Sequence, residues 1–153
     1  MRRILSYAIV IVVVMSSGCA QEHPDKLEGL FDVLEEHHTV LAERYTEYAT
    51  VTDRMAEKER FTERSEEHRR LAQRRAGNQV AIDIYSDATG QIARYNHWLE
   101  QYSMSAYFAG GGGVEPADTL QVRLYTELTE LYKELVDLYT ELAEEATVDV
   151  VGQ

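Results

Sequence analysis

Residues 124–144 read LYTELTELYKELVDLYTELAE, three consecutive copies of one seven-residue unit. Leu124, Leu128, Leu131, Leu135, Leu138 and Leu142 alternate in steps of four and three, which puts all six on one stripe of an α-helix. Tyr125, Tyr132 and Tyr139 follow the first leucine of each copy and widen that stripe, while Glu127, Glu134 and Glu141 flank it on the other side. Such a helix is marginal alone in water and needs partner helices over its stripe. Burying six leucines contributes about 9–18 kcal/mol before conformational entropy is counted. The repeat therefore dictates an all-α bundle or coiled coil. It names no activity.

Working outward, Pro116 stands where this helix can begin, and Gly110 to Gly113 break whatever precedes it. Ala81, Tyr85, Ala88, Ile92, Tyr95, Leu99, Tyr102 and Ala106 form a second heptad run, with Gly90 inside it at a cost of about 1 kcal/mol relative to alanine. Leu27, Phe31, Leu34, His38, Leu41, Tyr45, Tyr48, Thr52 and Met55 form another, with Asp25 as N-cap and Glu28 at capping-box spacing. The apolar stretches 27–55, 80–108 and 120–142 are similar in length, and the longer two span roughly 44 Å as helices. The expected architecture is an antiparallel three-helix bundle over residues 27–147, with a fraying tail at 148–153. Residues 56–79 are densely charged and offer only Phe61 and Leu71 as large apolar side chains. This stretch is expected to project as a charged hairpin tip that reverses near residues 61–65. Gly77-Asn78 is a competing turn signal, ranked second because a turn there would pair the charged stretch with the apolar half of the next helix.

The first residues carry an address. Arg2 and Arg3 precede an apolar run from Ile4 to Met15, too short at about 18 Å to cross a bilayer core of about 30 Å. Ser16, Ser17 and Gly18 then lead to Cys19, the one cysteine of the chain. A basic start, a short apolar run and small residues are the layout of a cleaved secretory signal. MSSGC at 15–19 resembles the lipobox of bacterial lipoproteins, with Gly18 and Cys19 matching and Ser16 standing where that class most often has leucine. The resemblance covers about the first 19 residues. It implies a signal peptide over residues 1–18, a lipidated Cys19 as the mature N-terminus, and a tether over residues 19–26. It also implies a membrane anchored by lipid, and Ala20 rather than aspartate after the cysteine implies the outer membrane facing the periplasm.

Removing residues 1–18 takes away Arg2 and Arg3 and no acid, so the whole-chain net charge of −12 becomes −14. Such a surface disfavours nucleic acid and direct contact with anionic lipid. Basic residues nevertheless concentrate in 54–75, and no acid follows Glu67 among Arg69, Arg70, Arg74 and Arg75. With Arg64 these four are the candidate contacts for an anionic envelope component at the tip. Pairs such as Glu57 with Arg60 and Glu66 with Arg70 also fit an ordinary solvated helix.

Metal and cofactor chemistry find little support. With a reversal near residue 63, His97 and His38 stand about 13 Å apart along the bundle, too far to share one ion. His68 lies farther off, at the tip. That leaves His23 on its tether, with His97 and Glu100, as weak metal candidates. His38 sits on the apolar seam and is expected as a core histidine hydrogen-bonded to a tyrosine. Glu35 and His38 have Glu-x-x-His spacing, but a di-iron bundle needs that motif twice, and His97-Trp98-Leu99-Glu100 runs in the reverse order. The nine tyrosines of the mature chain suit a thin bundle in which rings pack and hydroxyls reach water. No phosphate loop, nucleophile elbow, His-Glu-x-x-His or Cys-x-x-Cys occurs. The expectation is a non-catalytic envelope lipoprotein without a cofactor, acting as a helical spacer, adaptor or docking module and able to self-associate through its leucine seam. The alternatives are a ligand-binding or sensor bundle holding metal or haem, and a chaperone-like helical protein.

Overall fold

The computed structural model describes residues 2–75, 79–112 and 119–151, with side chains for 26–75, 79–111 and 119–148. Cys19, the lipobox-like segment, His23 and the tether up to Asp25 lie outside the described side chains, as does the tail beyond Val148. The described residues form an all-α bundle of four helices: α1 (Arg2–Val51), α2 (Met55–Ala72), α3 (Ala81–Tyr107) and α4 (Thr119–Val151). Helix α3 ends in a wider π turn, Phe108–Gly112, where Gly111 has φ 87°. Only glycine takes that conformation without strain, which is how the glycine run stops the helix.

The bundle has one helix more than the periodicity implies, and the chain reverses earlier. Thr52–Arg54 turn it, with Arg54 in extended backbone just before α2. The charged stretch is therefore no projecting tip. It folds back along α1 and presents Phe61, Ser65, His68 and Ala72 inward. Their 4-3-4 spacing is a helical stripe, but two of its four members are polar and one is alanine. A reading that follows large apolar side chains passes over it.

Ion pairs give the arrangement. Between α1 and α4, Lys26 pairs with Glu145, His37 with Glu134 and Arg44 with Glu127, so one helix runs forward as the other runs back. Between α2 and α3, Arg74 pairs with Asp87 and Glu67 with Arg94, and Arg64 lies over the Trp98 ring at 3.9 Å. Helix α2 approaches α1 through small residues, where Ser65 Oγ donates to the Ala42 carbonyl at 2.7 Å. Each helix is thus antiparallel to its chain neighbour, and α4 closes the ring against α1.

The core stripe of α4 is rotated from the leucine seam. Leu124, Leu128, Leu135 and Leu142 are buried, but Tyr132 and Tyr139 are buried with them, while Leu131 and Leu138 are only partly covered. A third and fourth partner widen the face that α4 must present, and the tyrosine hydroxyls are drawn inward by polar groups on the other helices. On α1 the seam holds from Leu27 to Tyr48, whereas Met55 is 73% exposed because the turn has already begun.

Candidate functional site

The middle of the bundle is a chain of hydrogen-bonded rings. His38 on α1 and His68 on α2 face each other, Nδ1 to Nδ1, at 2.9 Å. The other nitrogen of each meets a tyrosine of α4: His38 Nε2 to Tyr139 Oη at 2.8 Å, and His68 Nε2 to Tyr132 Oη at 2.9 Å. Tyr132 Oη continues to Tyr45 Oη at 2.9 Å, and Tyr45 Oη to Tyr102 Oη on α3 at 2.7 Å. All four helices contribute. The rings also stack, His68 lying parallel to Tyr45 at 8° between planes.

The six groups bring six protons, four hydroxyl and two imidazole, to five links. One histidine donates at the shared Nδ1 contact and the other accepts, so the chain is polarised in one direction along its length. The remaining hydroxyl proton is left at an end, on Tyr102 or on Tyr139. Tyr95 packs against both histidines, Tyr132 and Tyr139, yet its buried hydroxyl has no hydrogen-bond partner among the described residues.

Burial keeps this chain neutral. It lowers the pKa of His38 to about 3, helped by the charges of His37 and Arg74. Burial also holds His68 well below the usual histidine range, with His38, Arg64 and Arg94 adding to it. The same desolvation raises Tyr45, Tyr132 and Tyr139 above the ordinary tyrosine value. At neutral pH the centre therefore holds neutral imidazoles and protonated phenols. His38 is 0% and His68 1% exposed, so no substrate reaches either ring. A metal bridging the two Nδ1 atoms in line would need them about 4 Å apart, and at 2.9 Å they are already bonded to each other.

His68, which the sequence places at a remote tip, thus becomes the partner of His38. The tyrosine hydroxyls of the chain turn inward to each other and to the histidines rather than out to water. His97 and Glu100 lie exposed on α3, with His97 edge-on to Trp98, and among the described residues no group of three or more His, Cys, Asp or Glu side chains could hold a metal ion. The arginines are placed differently from expectation as well. Arg64 is paired with Glu67 at 2.7 Å, Arg74 with Asp87 at 2.5 Å and Arg75 with Glu35 at 2.6 Å, while Arg69 donates to Thr46 Oγ1 at 2.8 Å. The Arg64–Glu67 pair lies within α2, and Arg69, Arg74 and Arg75 fasten α2 and its C-terminal end to α1 and α3. Arg70 stays exposed.

Two surface features remain. Beside Tyr102, a cleft of about 170 Å³ opens between α2 and α3, floored by Phe61, Tyr102 and Tyr125 and edged by Trp98, Arg60 and Arg64. At the end of the bundle where α1 and α3 finish and α2 and α4 start, Val51, Met55, Met104, Tyr107, Phe108 and Leu120 are exposed. No protein family, curated protein or solved structure matches the chain.

Proposed function

We propose that the chain is a non-catalytic, lipid-anchored docking module of the bacterial envelope. The anchor is Cys19, read from the lipobox-like MSSGC, and the bundle is a stiff spacer that carries a contact surface away from the membrane. The observation that supports docking is the apolar end. Six large hydrophobic side chains, 47–73% exposed, gather at the end of α1 remote from Cys19. Six more are spread over the rest of the surface, Val33 and Val40 on α1 and Val80, Ile82, Tyr85 and Val148 towards the opposite end, and none of these is aromatic apart from Tyr85. Exposed aromatic and methionine side chains gathered together are what partner surfaces carry. This end replaces the arginine cluster as the leading contact, because three of those five arginines are committed to ion pairs within the chain.

A photo-crosslinking residue placed at Phe108, and in a parallel strain at the exposed Lys133 on the flank of α4, tests the reading in native envelopes. The expected result is one reproducible protein partner from position 108 and none from 133. Equal profiles from both positions would remove the docking end. A Cys19→Ala variant that still fractionates with the membrane would remove the lipid anchor independently.

A further inference from the structure

We propose that the cleft between α2 and α3 binds a small aromatic carboxylate, with its ring against Phe61, Tyr102 and Tyr125 and its carboxylate on Arg60. This is a separate claim from docking at the bundle end. Three observations carry it. The cleft measures about 170 Å³, close to the roughly 150 Å³ that encloses a benzene ring in a protein interior. Its floor is aromatic and rigid, since Tyr102 stacks on Tyr125 at 21° and on Trp98 at 27° between planes. And the cations at its rim are unequal in their commitments.

Arg64 is occupied, bonded to Glu67 and laid flat over Trp98. Arg60 is exposed and makes no ion pair among the described residues, although acids surround it in sequence. Of the two acids lining the cleft, Glu57 is held by Thr52 at 2.8 Å and Arg54 at 3.3 Å, and Glu63 is exposed. Arg60 is therefore the cation left for a ligand. Its charge is felt at the cleft floor. Burial raises the pKa of Tyr102, and the charges of Arg64 and Arg60 oppose that rise. A guanidinium paired with a carboxylate beside an aromatic slot binds an aromatic acid better than either a neutral aromatic or an aliphatic acid.

The chain carries its own reporter, because its one tryptophan, Trp98, lines the cleft. Benzoate titrated into the full chain is expected to change Trp98 emission saturably. Acetate, which lacks the ring, and benzyl alcohol, which lacks the charge, are expected to leave it unchanged over the same range. Arg60→Gln is expected to weaken benzoate at least about tenfold, and Arg60→Lys to keep most of the affinity. Saturation-transfer NMR on benzoate gives a second readout free of tryptophan optics. No saturable change by either method would overturn the proposal. So would benzyl alcohol binding as well as benzoate, or Arg60→Gln binding like the natural protein.

Discussion

His38 and His68 stay neutral in the fold because nothing inside the bundle balances a charge, and that has a consequence in acid. In the unfolded chain each titrates near pH 6.5, whereas in the bundle their pKa values are lowered, His38 to about 3. The unfolded state therefore takes up protons first as pH falls. Their contribution is whole above pH 6.5 and is lost progressively as pH falls, by about 2 kcal/mol for His38 between pH 7 and 5, with His68 acting in the same direction. Urea midpoints across that window measure the slope before most carboxylates titrate, and the slope is expected to vanish in His38→Gln/His68→Gln. The tyrosines around the pair divide into two kinds. Tyr139→Phe strands His38 Nε2 and should cost about 1–3 kcal/mol. Tyr95→Phe deletes a buried hydroxyl that makes no hydrogen bond of normal geometry, with only Tyr139 near enough to feel it, and should cost less than Tyr139→Phe or nothing. Equal losses in the two denaturation curves would mean that the hydrogen-bonded chain is not what holds these rings. Part of this centre is legible in the sequence: His38 stands on the seam, and a tyrosine partner follows from tyrosine's abundance there. The His68 half is not, since a histidine in a charged run carries no periodic apolar signal of its own.

Among the elements, α4 and the second half of α1 can be read from spacing because their inward faces are built from leucine, phenylalanine and tyrosine. Helix α2 cannot, because it buries Phe61, Ser65, His68 and Ala72 under a coat of charge, and the turn before it lacks glycine and proline. The missing signal was the coincidence of two facts: a 4-3-4 stripe of small and polar residues, and a seam histidine on α1 that needs a partner. Glycines inside helices give a test at this scale. Gly90 on α3 and Gly29 on α1 are both solvent-exposed, and a Cβ at either would meet nothing within 4 Å. Alanine at each should therefore act through helix propensity alone and stabilise by roughly 0.5–1 kcal/mol. The two gains should add, because the sites share no partner. Thermal midpoints of the single and double variants measure this. A loss at Gly90 would mean that α3 is packed against a neighbour at that position, contrary to the open space around it.

At the scale of the molecule, two electrostatic effects oppose each other. Ion pairs link α1 to α4 and α2 to α3, and added salt weakens them. The chain also carries net −12, and its self-repulsion weakens under the same salt. Magnitude decides the outcome. Most of these pairs have at least one partner about two-fifths or more exposed, as in Lys26–Glu145, Arg44–Glu127 and Arg75–Glu35. Pairs of that kind contribute between about 0 and 1 kcal/mol each. The surplus of acids acts on every part of a narrow bundle, and separating the helices relieves it. Sodium chloride raised from about 10 mM to 150 mM, where the screening length falls from about 30 Å to 8 Å, is therefore expected to stabilise the bundle. The check is a urea midpoint series at pH 7.5, where the buried histidines are neutral in both folded and unfolded chains. A midpoint that falls with salt would show that the inter-helix ion pairs outweigh the repulsion, and Arg44 with Glu127 would be the first pair to examine by a double-mutant cycle.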